Sequence, residues 1–151
     1  MAGPSGRPSD LQARERVLSA VPGLEELLEH GQVGEQVQSD ALAAGDADEA
    51  WLLWFIRQPY GLAVAVPVAG VRGDAVAEAL ERCNALNAAM DWGVACLVSL
   101  GGEEVAVLSV RLALDGEAGD VWGVIGQAMQ FVVEGAGSAR ERFRDLVELG
   151  Q

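Results

Sequence analysis

The chain has 151 residues, half of them hydrophobic, which is enough to bury one substantial core and indicates a single domain. Its ten basic residues, all arginine, are outnumbered by 23 acidic ones, giving a net charge of −13. This charge repels phosphate backbones and anionic lipids, so it argues against nucleic-acid binding and a membrane-surface role. Residues 17–56 contain no basic residue but eight acidic ones. They form either a solubilising surface or a docking surface for a basic partner.

Several features of the sequence favour a cytoplasmic location. Cys83 and Cys96 each lie in an apolar periodic segment, which indicates buried free thiols and a reducing compartment. Residues 1–8 are rich in Gly and Pro and predict a disordered tail, and no apolar segment typical of a secretory signal follows them. The longest uncharged run, residues 58–71, is interrupted by Pro and Gly and is shorter than the roughly 20 residues that span a bilayer. Residues 9–151 are expected to form the single domain.

The first predicted element is a broken amphipathic helix over residues 9–30. Ser9 and Gln12 have the spacing of a capping box, and apolar residues then recur at helical spacing. Pro22 and Gly23 interrupt this pattern, because proline lacks an amide donor and clashes with the preceding turn. Gly31 is the predicted stop.

The next segment predicts strands. Residues 32–50 have little sustained period, although a short or edge strand near residues 35–42 is compatible with them, and residues 45–48 predict a turn. Residues 51–56 are continuously apolar and aromatic, which is typical of a strand buried on both faces. Pro59 and Gly61 favour a tight turn, and alternation over residues 62–68 completes an antiparallel hairpin. Alanines form one face of this second strand, and a helix is expected to pack closely there.

An alanine-rich helix is predicted over residues 74–90, with Gly73 or Asp74 as its cap. Because few of its side chains are bulky, a second copy of the helix can approach closely, and we expect a homodimer interface there. The alternative is that the helix packs only on its own sheet. The stripe proposed for the interface consists of Val76, Leu80, Cys83, Asn87 and Met90.

A second hairpin is predicted from the alternating residues 94–100 and 103–114, joined at Gly101 and Gly102. A Gly-Gly loop favours a primed turn, because both positions adopt positive φ without steric cost. The resulting register places Val98 opposite Val105, Cys96 opposite Val107 and Leu97 opposite Ala106.

The C-terminal part predicts two helices after a turn at residues 115–116. Asp120 is the expected cap of a helix that is apolar nearly all round, so it is either deeply packed or buried against another chain. Residues 135–137, Gly-Ala-Gly, are expected to end it. Ser138 and Glu141 then have the spacing of a second capping box, for a last helix bearing Phe143, Leu146 and Val147.

The predicted fold class is α+β, a small antiparallel β-sheet covered by helices in the order α-β-β-β-α-β-β-α. The middle helix ends in Asn84-Ala85-Leu86-Asn87 and is followed by a hairpin containing residues 107–112. This pattern resembles the N-x-x-N helix end and hairpin of the YbjN-like family, and the element order is similar to the type III secretion chaperone-like fold. The resemblance covers roughly residues 10–149. It implies a non-enzymatic, often dimeric module that binds peptide segments of other proteins or has a regulatory role, with no cofactor.

No catalytic or metal-binding constellation is visible in the sequence. His30 is the only histidine, both cysteines lie in core-like patterns, and a zinc site normally needs four ligands at short spacings. The adjacent carboxylates Glu103 and Glu104 point in different directions on a strand. Gly-Ala-Gly at residues 135–137 follows no strand and precedes no lysine, so it is not a phosphate loop. We therefore predict no catalytic residue, no metal and no cofactor.

The aromatic residues near the first hairpin are the candidates for partner binding. Trp51 and Trp54 are three residues apart, so on one strand they would lie on opposite faces, with one available at a surface near Tyr60. The alternative is that all are core aromatics. We therefore expect a chaperone-like module that binds a protein or peptide client through Trp51, Trp54 and Tyr60. The alternatives are a structural subunit of a larger assembly and an enzyme using carboxylate chemistry in the acidic N-terminal half.

Overall fold

A computed structural model of the chain describes residues 8–44, 49–91, 93–113 and 121–146. Several predicted features lie outside these residues: the tail before residue 8, the turns at residues 45–48 and 115–116, and the residues Trp92, Leu114, Asp120 and Val147.

The fold is α+β, as predicted, with helices packed on an antiparallel sheet. The sheet has five strands in the order β1-β4-β5-β7-β6, and β2 and β3 pair separately. The helices are α1 (Pro8–Ala20), α2 (Leu24–His30), α3 (Val76–Ala89) and α4 (Val121–Arg142). The strands are β1 (Gln36–Gln38), β2 (Leu42–Ala44), β3 (Glu49–Trp51), β4 (Trp54–Gln58), β5 (Gly61–Val71), β6 (Val94–Leu100) and β7 (Glu103–Ala113).

The N-terminal helix is interrupted where proline predicted it. α1 ends at Ala20, and α2 begins at Leu24 after Gly23, which has a φ of 93°. Glycine adopts this left-handed conformation without the steric cost that a Cβ brings. Val21 and Leu24 on either side of the break are fully buried, so the change of direction keeps both helices on the core.

The predicted strand over residues 51–56 is wrong, because the chain changes sheets within it. Trp51 ends β3, which pairs with β2, whereas Trp54 begins β4 in the large sheet. Between them, the Leu53 N–H donates to the Oγ of buried Ser39 at 3.0 Å, and the Ser39 N–H donates to the Leu53 carbonyl at 2.9 Å. A side chain thus replaces one backbone acceptor where the two sheets separate. The uncertain strand near residues 35–42 is likewise divided between β1 and β2.

α4 continues through Gly-Ala-Gly at residues 135–137, so the predicted break and second capping box are both wrong. Each glycine costs about 1 kcal/mol in a helix interior, but tertiary packing routinely overrides such preferences. Val132, Ala136 and Ala139 are buried on one side of α4, and their packing holds the helix together. Instead of a last helix, the described chain ends in a 3₁₀ turn, Arg144–Leu146.

Both predicted hairpins are present. β6 and β7 pair in the predicted register, and Gly101 and Gly102 have φ values of 59° and 89°. β4 and β5 join through a two-residue loop between Gln58 and Gly61. A Cβ at Gly61 would lie 1.8 Å from a carbonyl oxygen of β7, so only glycine fits there.

The helices all pack on one face of the five-stranded sheet, here called the helix face. Buried residues from the four helices join one cluster with the large residues of β5 and their neighbours. The alanines of β5, Ala63 and Ala65, are on the opposite face, here called the outer face, so the expectation that a helix packs on them is wrong. The large side chains instead fill the space between the sheet and the helix layer. The strand residues of the cluster include Phe55, Leu62, Val64, Val66, Leu108 and Val110.

Candidate functional site

The outer face is a largely apolar surface that crosses four strands, with Ser109 and the exposed Arg111 of β7 as polar members. Trp54 on β4 lies opposite Ala65 on β5, which lies opposite Ser109 on β7, which lies opposite Val94 on β6. The next row of the same face runs through Pro67, Val107 and Cys96. Other apolar members are Ile56, Ala63, Val98 and Val105.

No described helix contributes to the cover of this face. Ala63, Ala65 and Val107 are buried among their own neighbours and do not belong to the cluster that includes the helices. Val94 is 49% exposed, and Trp54, Ile56 and the remaining apolar members are only partly buried. An antiparallel sheet with one face in water normally carries polar residues on that face, whereas most outer-face residues of these strands are apolar. The outer face therefore has the composition of a surface that another polypeptide covers.

Trp54 and Tyr60 both reach the surface, but the structure does not bring them together. Trp54 begins β4 on the outer face, and Tyr60, which is 80% exposed, lies in the loop that follows β4. The four-residue step from Trp54 to Gln58 spans about 13 Å of strand. Trp54 is therefore the predicted aromatic that belongs to the outer face, and Tyr60 is a separate exposed group at its end.

Trp51 is a core residue, so the structure contradicts its proposed partner contact. Only 2% of its surface is exposed. The guanidinium carbon of Arg140 lies 4.1 Å from the centre of its ring, and the Arg140 Nε–H donates to the Val68 carbonyl at 2.8 Å. This cation–π contact joins α4 to β3, and it leaves no surface of Trp51 for a client.

The predicted dimer stripe on α3 is divided between two faces. Cys83 is buried against the protein's own sheet, and the partly buried Met90 packs against the core cluster, so both belong to the protein's own packing. Leu80 is 48% exposed, and Val76 is partly buried beside it. Of the predicted stripe, Leu80 and Val76 thus remain available to a second copy.

Asn87, also predicted at the dimer interface, has a structural role instead. Its Nδ2 donates to the Ala95 carbonyl at 3.0 Å, and its Oδ1 accepts the Ala95 N–H at 2.7 Å. Ala95 lies on the edge strand β6, so the carboxamide occupies the backbone groups that a neighbouring strand would use. This pair therefore occupies the outward backbone groups of one residue, Ala95, near the start of that edge.

The titratable groups do not assemble a reactive centre in the part of the chain that the structure describes. Burial raises the pKa of the Cys83 thiol, which opposes thiolate formation. The side chain of His30 is exposed, with Nε2 3.8 Å from an Oε1 of Glu29. Across residues 8–44, 49–91, 93–113 and 121–146, no three His, Cys, Asp or Glu residues form a group that could hold a metal ion.

Two open grooves lie away from the outer face. One, of about 580 Å³, runs between α1 and α4 and is lined largely by small and apolar residues, with Arg16 at its rim. The other, of about 490 Å³, lies between α2 and β1 and is lined in part by Glu26, His30 and Glu35. Only the second contains more than one carboxylate.

Sequence reasoning expected one of the two tryptophans at a surface, and Trp54 is the partly exposed one, but it missed the outer face as a unit. The available signal was the composition of β4–β7, whose strands carry apolar residues on both faces. The small side chains on the alanine face of β5 favour close packing of a helix there, but strand alternation does not show which face of a sheet the helices cover.

No family model matches the chain, and comparisons with curated proteins and with solved structures also give no match. Among the described residues, no helix is both long enough and apolar enough to cross a membrane.

Proposed function

We propose that the protein is a non-enzymatic, chaperone-like module that binds apolar segments of other proteins on the outer face of its sheet. The observation that carries the proposal is that this face is apolar and partly exposed, and no described helix covers it. The resemblance to YbjN-like proteins and secretion chaperones is consistent with such a role. Its two free cysteines agree with a cytoplasmic location.

The energetics of an apolar sheet face suit moderate, adaptable binding. Covering each 100 Å² of apolar surface contributes about 2.5 kcal/mol. Association itself costs roughly 4–15 kcal/mol in lost freedom, so a client must cover several such areas before it binds usefully. Trp54 has the largest side chain on the face and is the expected anchor, because tryptophan is enriched among residues that dominate binding energy.

The client site is tested with a permanently unfolded probe, a reduced and carboxymethylated test protein carrying a fluorescent label. Val94→Glu places a charge on the outer face at a 49% exposed position, and Val124→Glu makes the same change at a 39% exposed position on α4. We expect Val94→Glu to weaken probe binding about tenfold, corresponding to the loss of roughly 1.4 kcal/mol of contact energy. Val124→Glu should bind like the wild type. Equal binding by both variants and the wild type would contradict the proposal.

We also propose that the protein forms a homodimer through the exposed side of α3. Leu80 is the exposed apolar residue there. The small side chains of Ala85, Ala88 and Ala89 are also exposed and let a second helix approach closely. Light scattering at tens of micromolar should give a dimer for the wild type and a monomer for Leu80→Glu. Glu81→Gln, on the same exposed side, is the control and should remain a dimer. A strictly monomeric wild type would contradict this part.

The two alternative functions make different demands. A structural subunit of a larger assembly would be poorly soluble in isolation. An enzyme using carboxylates requires two of them to converge in an enclosed pocket, whereas Glu26 and Glu35 line an open groove and are both exposed. Neither alternative accounts for the apolar outer face as directly as client binding does.

A further inference from the structure

The two edges of the five-stranded sheet differ in one side-chain contact, which lies at Ala95 on β6. At β6 the carboxamide of Asn87 occupies the outward N–H and C=O of Ala95. At β1, the other edge, no side chain of the described residues forms such hydrogen bonds with Gln36 or Gln38. An unoccupied strand edge is a ready template for another strand, and proteins usually cover or block it.

The hydrogen-bond pattern shows which groups of β1 are open. The Arg57 N–H donates to the Glu35 carbonyl, and the Ser39 N–H donates to the Leu53 carbonyl. Odd-numbered residues in this segment therefore direct their backbone groups towards β4. The N–H and C=O of Gln36 and Gln38 point the opposite way, and no described residue forms a hydrogen bond with them. Four backbone groups are thus available along one edge.

The surroundings of this edge are acidic. Glu26 and Glu35 line the groove of about 490 Å³ between α2 and β1, and Asp40 follows the strand. Residues 17–56 contain no arginine or lysine, and Arg57, whose backbone N–H donates to the Glu35 carbonyl, directs its guanidinium to the carbonyls of Gln58 and Gly61. Val33, 64% exposed, adds an apolar contact just before β1. The open N–H and C=O groups of β1 favour an extended peptide, because such a peptide can pair with them as a strand. The carboxylates favour a peptide with basic side chains.

We propose that β1 is a docking edge for an extended, arginine- or lysine-bearing peptide segment, which adds to the sheet as a sixth strand. The proposal goes beyond the outer face, because it concerns another surface and another kind of contact. Backbone hydrogen bonds hold the segment, and its side chains alternate between the two sides of the sheet. Those directed towards α2 meet Glu26 and Glu35, so the segment has a basic residue at every second position.

The binding test uses a fluorescently labelled ten-residue peptide that alternates arginine and valine. Its binding to the protein at pH 8 is measured by fluorescence anisotropy. One control peptide replaces each arginine by glutamate. A second keeps the arginines but carries N-methyl groups on alternate backbone amides, which removes the donors needed for strand pairing while preserving the charge. We expect each control to bind at least tenfold more weakly than the parent peptide. Raising the salt from 50 to 500 mM should weaken the parent several-fold.

The protein variants locate the site. Glu26→Gln combined with Glu35→Gln removes both charges of the groove but keeps the side-chain oxygen that accepts the Gln32 N–H from residue 35. This double variant should bind the arginine peptide at least tenfold more weakly than the wild type. The matched control, Glu81→Gln with Glu103→Gln, removes two exposed charges elsewhere and should change binding less than twofold.

Three outcomes would overturn the proposal. The first is equal binding of the N-methylated peptide, which would show ionic adhesion without strand pairing. The second is an equal loss of affinity in the two double variants. The third is that the amide signals perturbed by the peptide centre on Trp54 and not on Gln36–Gln38. Val94→Glu separates this proposal from client binding on the outer face: β6 is four strand spacings, about 19 Å, from β1, so this change should leave the peptide's affinity unchanged.

Discussion

Replacing Asn87 by alanine tests how much the hydrogen bonds from this side chain to the backbone of Ala95, on the edge strand β6, stabilise the protein. The change removes the hydrogen bonds of 3.0 and 2.7 Å to Ala95, each contributing about 1 kcal/mol net to stability. Alanine also favours the helix by roughly 0.6 kcal/mol relative to asparagine. The expected net loss is therefore about 1.4 kcal/mol in the free energy of unfolding, measured by urea denaturation followed through tryptophan fluorescence.

Asn84→Ala is the matched control for this prediction. Asn84 is exposed on the same helix and its side chain forms no hydrogen bond or ion pair with another described residue, so alanine there brings the same helix preference without a lost hydrogen bond. The two variants should differ by about 2 kcal/mol, or roughly 4–8 °C in Tm. Size-exclusion chromatography should also show that Asn87→Ala self-associates more readily, because its edge is open. A difference below about 0.5 kcal/mol would refute the assigned role of the carboxamide.

Three further predictions concern the thiols, an ion pair and two glycines. Because burial raises the pKa of Cys83, a thiolate-selective reagent at pH 8 should label Cys83 more slowly than Cys96. The two labelling rates are compared in single Cys→Ser variants, and equal rates would contradict the burial of Cys83. The pKa of Asp145 is lowered by an arginine partner, so its stabilising effect is present above about pH 3.8 and is lost as the pH falls through the lowered pKa. Asp145→Asn should therefore be less stable than the wild type at pH 7 and equally stable in strong acid, as measured by thermal unfolding. Gly126→Ala should stabilise α4 by about 1 kcal/mol, because alanine favours a helix over glycine and the new Cβ would lie at an ordinary 3.7 Å from the nearest side chain. Gly61→Ala should severely destabilise the fold, because its Cβ would lie 1.8 Å from a carbonyl oxygen of β7.

The sequence predicted most reliably where local chemistry alone decides the structure. The Gly101-Gly102 turn needs positive φ at both positions, and this requirement set the register of β6 against β7 correctly. The interruption at Pro22 was equally local, because a missing amide donor and a steric clash act whatever the rest of the chain does.

The predictions failed where distant residues decide the structure. α4 passes through two glycines because buried residues on its flank hold it, and no local pattern contains that information. The run at residues 51–56 changes sheets at Leu53, whose N–H donates to the hydroxyl oxygen of Ser39, fourteen residues away. Asn87 was assigned to a dimer interface because its spacing matched an apolar stripe, whereas its partner is the edge strand that follows α3.

The open edge and the outer face adjoin one another, so one segment can use both. Gln38 lies opposite Trp54, which places the outer face directly beside β1. A strand added to β1 would alternate its side chains: one set would face the carboxylates beside α2, and the other would lie on the outer-face side, next to Gln36 and Gln38, which separate it from Trp54. A segment with basic and apolar residues in strict alternation therefore places its basic residues at the carboxylates and its apolar residues at the border of the outer face. A client that is apolar on every side would bind only the outer face, and a uniformly basic client would bind only the β1 edge.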